Sequence, residues 1–193
     1  MLEIVTAPNS VLSQKAKKVK KIDAAISNLI KEMNETLLAA KDPKGVGLAA
    51  PQVGKSLSIF QVKPSEKFPV ATFINPVIEN TESVKEIPTL SNSQKIEAKK
   101  PKASKGKLLE GCLSIPNIWG NVSRAKKITV SWRDEKNKHH RKIFDGFSAI
   151  IIQHEMDHLD GILFPKRVLE QKGKLYKSQK NEKNEDVFEE IEI

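Results

Sequence analysis

Cysteine is almost absent from this chain, since Cys112 is the only one among its 193 residues. A single cysteine cannot form a disulfide within the chain, so the sequence excludes small secreted scaffolds held together by disulfides. Aromatic residues are also scarce, at 5% of the composition, which leaves little material for the stacking surfaces that bind single-stranded nucleic acid. The length is that of one domain, large enough to bury a hydrophobic core without cross-links.

Long apolar runs are lacking as well, because no segment approaches the roughly 20 apolar residues that a membrane span requires. The first residues show neither the basic stretch and apolar run of a signal peptide nor the Arg- and Ser-rich character of an organelle transit peptide. These features predict a cytoplasmic protein of bacterial type that has no membrane partner.

Negative charge is in deficit: 33 Lys and Arg stand against 24 Asp and Glu, which gives a net charge of +9. The basic residues are spread along the chain, with one denser stretch at 124–142. A dedicated nucleic-acid site concentrates its charge on one face. We therefore interpret most of this charge as solvated surface and expect no DNA partner. A basic protein that associates with ribosomes or RNA is kept as an alternative.

The periodicity of apolar residues predicts an α+β chain. Apolar positions three and four residues apart over 22–41 predict an amphipathic helix, and the segment 147–159 is apolar on most faces, which predicts a buried helix. A further helix is expected over 167–180. Strands are predicted over the segments 56–62, 71–74, 119–134 and 139–144.

Composition divides the chain into one domain and two polar additions. Residues 1–170 read as a single domain, interrupted at about 80–106 by a polar insertion rich in Ser, Lys, Glu and Pro. Residues 171–193 read as a C-terminal extension that is partly helical or disordered.

The strongest chemical signal is the pattern His-Glu-x-x-His at residues 154–158. Residues four apart lie about 40° apart around a helix, so His154 and His158 project to one side and can share a metal ion. Glu155 lies beside the first histidine, where it can reach a metal-bound water. The other two histidines, His139 and His140, are neighbours on a predicted strand and face opposite sides, so we interpret them as surface residues.

A third protein ligand is needed, because catalytic metal sites usually have three and keep one position open for water. The pattern alone suggests a zinc endopeptidase, but the chain lacks the downstream residues that complete such sites. Cys112 is the upstream candidate. On its own, a free cysteine is as easily a small core residue as a metal ligand, and the residues leave that choice open.

Three motifs together resemble the peptide deformylase family. They are the glycine-rich segment at 45–54 (GVGLAAPQVG), the segment at 110–114 (EGCLS) and the segment at 153–158 (QHEMDH), in that order. The resemblance covers roughly residues 2–170 outside the polar insertion. It implies an α+β fold with antiparallel sheets surrounding a central buried helix that carries the metal motif. It also implies hydrolytic removal of the formyl group from formyl-methionine at the start of newly made polypeptides, with release of formate.

The resemblance also implies a role for each motif residue. Cys112, His154 and His158 would bind one divalent ion, Fe²⁺ with Zn²⁺ or Ni²⁺ as substitutes, and water would be the fourth ligand. Glu155 would activate that water. The Gln52 side chain and the Leu113 N–H would stabilise the developing oxyanion.

The remaining implied roles concern support and substrate. Glu110 and Arg124 would form an ion pair that braces the cysteine strand. The peptide would add as a strand along Val46 and Gly47, and the methionine pocket would be lined by Val46, Phe147, Ile150 and Ile151. Weak association with the ribosome is a further expectation. The chain departs from the usual pattern at Ser13 and at Trp119, where many members carry an arginine.

Overall fold

The computed structural model describes residues 1–41, 44–82, 108–181 and 186–192. These residues form two antiparallel sheets and three α-helices, which confirms the α+β class. The helices are α1 (Ala24–Ala39), α2 (Gly146–Leu159) and α3 (Phe164–Glu170). The strands are β1 (Gly47–Ala49), β2 (Ile59–Val62), β3 (Ala71–Glu82), β4 (Glu110–Cys112), β5 (Ile115–Gly120), β6 (Lys127–Arg133), β7 (His139–Asp145), β8 (Leu175–Lys180) and β9 (Asp186–Ile191).

The first sheet has five strands in the order β1-β2-β3-β6-β7, and α1 packs on it through its apolar stripe. The predicted helix at 22–41 is confirmed with slightly shorter bounds. Its start is fixed by Asp23, whose carboxylate accepts a hydrogen bond from the N–H of Ile26 at 3.0 Å. An N-cap of this kind satisfies a backbone donor that has no partner within the helix.

Helix α2 lies between the first sheet and the strand that carries Cys112. It contacts β1, β2, β6 and β7, and the residues that it buries in this core include Ala149, Ile151, Ile152 and Leu159. The predicted buried helix is therefore confirmed to within one residue. Gly161 then reverses the chain with a φ of +70°, a conformation that glycine adopts without steric cost. No helix in the described part of the chain is both long and apolar enough to cross a membrane.

The second sheet, in the order β4-β5-β8-β9, corrects two of the sequence predictions. The single strand expected over 119–134 is wrong, because the chain leaves the second sheet at Gly120 and enters the first sheet at Lys127. The helix expected over 167–180 is also wrong beyond Glu170, since Leu175–Lys180 forms β8 and pairs with β5. Lys172 adopts a φ of 54° between the two elements, which ends the helical geometry.

The C-terminal hairpin formed by β8 and β9 replaces the partly helical or disordered extension that the sequence predicted. Its two strands differ in charge, and Lys174–Glu190 and Lys180–Asp186 form ion pairs across them at 2.7 Å each. The acidic end of the chain thus returns along its own basic segment. The predicted polar insertion at about 80–106 falls almost entirely on residues 83–107, outside the described residues, and the boundaries of the catalytic domain stay a prediction.

Candidate metal centre

Two imidazoles on α2 form one half of the site. His154 and His158 are one turn apart, and their ring centroids are separated by 5.1 Å. His158 is 1% exposed. The apolar residues that bury α2 on its other sides leave this polar stripe to face β4, which is why two buried histidines occur on an otherwise apolar helix.

Cys112, the last residue of β4, completes a group of three. Its Sγ lies 3.2 Å from Nε2 of His158. One ligand atom from each of the three residues lies within 4.8 Å of the other two, and all three residues are buried. A thiol and two imidazoles at this spacing are donors that Fe²⁺, Zn²⁺ and Ni²⁺ accept, so the residues present fit a divalent transition metal.

Glu110 orients the first histidine. Its carboxylate lies 3.0 Å from Nδ1 of His154, and a partner at that nitrogen leaves the other ring nitrogen for a metal. Glu110 is held in turn by Arg124, whose Nε and Nη2 donate to its two oxygens at 2.9 Å each. Burial disfavours the charged carboxylate, but Arg124 and then His154 outweigh burial and lower the pKa of Glu110 to about 2.

The ion pair extends into a chain of charges that the sequence argument missed. Arg124 also donates to Asp157 at 2.6 Å, and Arg167 of α3 donates to the same carboxylate at 2.7 Å. Asp157 lies within the metal motif, so the sequence already showed an acidic residue without an evident partner on a buried helix. No motif or spacing in the sequence pointed to its partner Arg167. The network ties α2, α3 and β4 together behind the three candidate ligands.

Glu155, the residue after His154, is buried, at 3% exposure. Among the described residues its Oε2 has no hydrogen-bond partner. Desolvation raises the pKa of Glu155 to about 7, although the charges of His154 and Arg124 act to lower it. A buried carboxyl with a free oxygen and a pKa near neutrality suits a group that accepts and returns a proton.

Gly47 gives Glu155 its space. A Cβ at Gly47 would overlap Oε1 of that carboxylate and would lie 2.7 Å from its Cδ. Glycine is therefore required at this position, because the Glu155 carboxylate approaches the backbone so closely. The carbonyl of Val46 accepts from the N–H of Lys63 in the ladder with β2, and bonding alternates along an antiparallel pair. The N–H and C=O of Gly47 therefore point away from β2, toward the open edge of β1.

The Gln52 side chain joins the glycine-rich segment to the cysteine strand. Its Oε1 accepts from the N–H of Ala49 at 2.8 Å. Its Nε2 donates to Sγ of Cys112 at 3.4 Å and to Oγ of Ser114 at 3.3 Å. Gln52 is 1% exposed, so the amide is fixed beside the thiol. Leu113, the other proposed oxyanion donor, follows Cys112 directly and is partly buried.

The structure brings together most of the residues expected to line the methionine pocket. Val46 and Phe147 pack against the core cluster that contains Ile151. Ile150 is buried on α2 at 6% exposure but does not belong to that cluster. His139 and His140 lie on β7, and His140 pairs with Asp134 at 2.6 Å.

The comparison with known families agrees with these motifs. The sequence model described as polypeptide deformylase matches residues 1–174. The chain belongs to the polypeptide deformylase family. It is 41% identical to the peptide deformylase of Chlorobaculum tepidum over 170 residues, which cover 87% of this chain and 80% of that protein. It is 37% identical to the peptide deformylase of Synechocystis over 172 residues, which cover 86% of this chain and 79% of that one.

Solved structures from the family share its architecture. The peptide deformylase of Thermotoga maritima superposes with a TM-score of 0.70 at 31% identity, covering 86% of this chain and 97% of that one. A peptide deformylase from Synechococcus elongatus, solved in complex with actinonin, gives a TM-score of 0.69 at 36% identity, with coverage of 86% and 78%. The C-terminal hairpin lies almost wholly beyond residue 174, where the match to the family model ends.

Proposed function

We propose that this protein is a metal-dependent peptide deformylase that removes the formyl group from formyl-methionine at the start of newly made polypeptides and releases formate. The observation that carries the proposal is the buried group of Cys112, His154 and His158 with the unsatisfied carboxylate of Glu155 beside it. Membership of the family supports the choice of a formyl amide as substrate.

The three ligands would hold one divalent ion, for which we propose Fe²⁺, with Zn²⁺ or Ni²⁺ as substitutes. When bound, such an ion supplies Lewis acidity that acidifies water and polarises the formyl carbonyl. The thiolate ligand must be reduced and deprotonated to bind metal. That requirement agrees with a reducing cytoplasm, where translation also supplies the substrate.

Glu155 performs the proton transfers. Its carboxylate takes a proton from the attacking water and returns it to the methionine nitrogen as the C–N bond of the formyl amide breaks. The products are formate and a free amine. Burial beside Gly47 keeps competing water away from the carboxylate.

Gln52 and Leu113 stabilise the charge that develops on the formyl oxygen. The contact of the Gln52 amide nitrogen with Oγ of Ser114, at 3.3 Å, is longer than a typical N–H···O hydrogen bond. Turning this N–H toward a developing oxyanion therefore breaks only a weak hydrogen bond. The backbone N–H of Leu113 would be the second donor, and a donor of this type contributes most in the transition state.

The peptide itself would bind as an added strand. β1 and β4 are edge strands of different sheets, and Gly47 turns its main-chain groups toward the open edge. Val46, Phe147, Ile150 and Ile151 would supply the apolar pocket for the methionine side chain. The net charge of +9 supports weak association with the ribosome.

The test is formate release from formyl-Met-Ala-Ser by protein purified without oxygen and loaded with Fe²⁺ or Ni²⁺. We expect turnover with about one metal ion per chain. We expect Glu155→Gln to lose about 10²- to 10⁴-fold in kcat while it keeps its metal. The matched control is Glu135→Gln, an exposed residue of the β6–β7 turn, which should leave kcat unchanged. Metal-loaded protein that releases no formate would sink the proposal, and cleavage of casein instead would favour an endopeptidase.

A further inference from the structure

Two lysine-rich segments, 15–23 and 133–142, carry much of the positive charge of this chain. Between them they contain ten Lys and Arg against three Asp and Glu. The sequence analysis interpreted this charge as solvated surface, because the two segments lie far apart along the chain. The structure brings them together, since a hydrogen bond joins Val19 to Arg133 across 114 residues of sequence.

One guanidinium links the two segments. Nη2 of Arg133 donates to the carbonyl of Val19 at 2.8 Å, and Nη1 donates to Oδ1 of Asn137 at 3.0 Å. Val19 and Asn137 are therefore separated only by one guanidinium and its two hydrogen bonds. The side chain of Asn75 fixes the same point, because it donates to the carbonyl of Val19 and accepts from its N–H, at 2.8 Å each. The junction is thus held by three side-chain hydrogen bonds to the backbone of one residue.

Lysines stand on both sides of each residue that this guanidinium joins. They are Lys18, Lys20, Lys136 and Lys138, which we call the lysine patch. All four are exposed. Val19 is only 4% exposed, so the backbone between the first two lysines is anchored while their side chains meet the solvent. Lys17 and Lys21, the next lysines along the chain, are exposed as well.

The charge of the lysine patch is left largely uncompensated. Across the part of the chain that the structure describes, none of its four lysines forms a salt bridge. Asp134 is the closest acid in sequence to Lys136 but one, and its carboxylate already pairs with His140 at 2.6 Å. It also accepts from the backbone N–H groups of Lys136 and Lys138 at 2.9 Å each. Only Glu135, exposed in the same turn, offers a further negative charge.

The basic residues of the C-terminal hairpin are in a different situation. Lys174 and Lys180 pair with Glu190 and Asp186 of the facing strand, so the hairpin neutralises these charges internally. The lysine patch instead combines a high density of positive charge with few acidic partners. Charge concentrated on one surface in this way is typical of a site for a polyanion.

The residue types favour the phosphate backbone of double-helical RNA as that polyanion. Lysines bind phosphates as point charges and do not read bases. Neither segment contains Phe, Tyr or Trp, so the bases of a single strand would find no ring on which to stack. Neither segment exposes a large apolar side chain, which an interfacial membrane anchor requires.

We propose that the lysine patch docks this protein on double-helical RNA through the phosphate backbone. The choice of RNA over DNA rests on the proposed function, because the formylated substrate is made on the ribosome, which is rich in helical RNA. The patch contains none of the candidate metal ligands or substrate-binding residues. Docking therefore leaves the metal centre free to act on a nascent chain.

The first test measures binding to a fluorescent RNA duplex of about 16 base pairs, the span of a typical duplex-binding domain. With about four phosphate contacts, the affinity should fall about a hundredfold between 50 and 200 mM KCl. The patch variant replaces all four lysines with glutamine. We expect it to bind at least about tenfold more weakly at 50 mM KCl and to lose about one unit of salt slope for each lysine.

A control variant with the same loss of net charge separates the patch from the overall charge. It carries the changes Lys31→Gln, Lys67→Gln, Lys166→Gln and Lys177→Gln, all at exposed positions outside the two segments. We expect it to keep most of the affinity of the wild type. An equal loss in the two variants overturns the inference, because net charge alone would then explain binding.

Two double variants test whether both segments contact the same RNA. The pair Lys18→Gln with Lys20→Gln and the pair Lys136→Gln with Lys138→Gln should each give about half of the full loss on the logarithmic scale. A double variant that binds as tightly as the wild type would show that its segment does not take part, and it overturns the joint surface.

Sedimentation identifies the source of the phosphates. At 50 mM KCl the wild type should sediment with ribosomes, the patch variant should not, and excess RNA duplex should release the wild type. A patch variant that still sediments overturns the inference. So does tighter binding of the wild type to vesicles of phosphatidylglycerol, or to a DNA duplex of the same sequence, than to the RNA duplex.

Formate release separates this inference from the proposed function, because RNA binding is measured without turnover. The patch variant should keep the kcat/KM of the wild type for free formyl-Met-Ala-Ser. RNA binding that depends on the patch, in a protein that releases no formate, would sink the deformylase proposal and keep the docking surface. Formate release with no RNA binding that depends on the patch would do the reverse.

Discussion

The two faces of β4 lie in different environments, although the residues that point to them are neighbours in the sequence. On the inner face, Glu110 and Cys112 are both buried. Glu110 is held by Arg124, and Cys112 lies against Gln52 and His158. On the outer face, Gly111 has no side chain and its space is filled by the partly exposed ring of Trp119. The inner face is suited to hold a metal and its histidines rigidly, whereas the outer face packs against the C-terminal hairpin through Trp119.

The largest effect that would sharpen this comparison is expected from Cys112→Ser on the inner face. A hydroxyl is a much poorer ligand than a thiolate for Fe²⁺, Zn²⁺ or Ni²⁺. We expect the purified variant to lose its metal, measured by elemental analysis, and its formate release. Full retention of metal would show that the ligands lie elsewhere. Trp119→Ala, on the outer face, should keep its metal.

Arg124→Met should have the next largest effect, on stability. Arg124 is buried and neutralises both Glu110 and Asp157, and removing one partner of a buried ion pair costs about 3–5 kcal/mol. We expect this loss in the free energy of unfolding, measured with urea. The matched control is Arg141→Met, whose ion pair with Glu79 lies on the surface and should matter little. Equal effects in the two variants would break the distinction between buried and exposed pairs.

Gly47→Ala should damage activity more than stability. The added methyl group would force the Glu155 carboxylate to move, and displacement of a catalytic group by about 1 Å can cost about a hundredfold. We expect that loss in kcat/KM for formyl-Met-Ala-Ser, with metal content unchanged. Normal activity would mean that Glu155 works from a different position.

The smallest effect is expected in the hairpin, with Phe188→Ala. Loss of one edge-on aromatic contact is worth about 1 kcal/mol, which lowers the melting temperature of a chain of this size by about 2–4 °C. Metal content should not change, because the hairpin lies on the outer face. A loss of metal in this variant would show that the two faces of β4 are coupled.

Local sequence patterns were enough to predict the elements that are determined by residues close together in the sequence. Helices α1 and α2 follow from their apolar periodicity, and His154 and His158 share a face because they are one turn apart. The strand boundary at Gly120 could not be predicted this way, since a strand pattern does not indicate which sheet the strand joins. The same limit explains the error over 167–180, where pairing with β5 overrode a plausible helical pattern.

The residues of the candidate site also divide into those that the sequence predicted and those that it did not. The motif residues Gln52, Cys112 and Glu155 were predicted as site residues because their sequence context resembles a known family. Arg167 was not predicted, since it belongs to no motif, and Trp119 was noted only as a departure from the usual family pattern. Their roles depend on contacts with Asp157 and with Ser178 and Phe188, which are distant in sequence.

By itself the sequence determined the candidate residues for the proposed chemistry: one thiol, two histidines one helical turn apart and a carboxylate beside them. Only the tertiary structure decided how they are supported. Cys112 is 46 residues from His158 in sequence yet 3.2 Å away in space, and that closeness follows from packing an edge strand against a buried helix. The hairpin that positions Trp119 likewise exists because the basic strand β8 pairs with the acidic strand β9 on one side and with β5 on the other. Long-range pairing of this kind is set by the whole fold, because no local pattern records its partner.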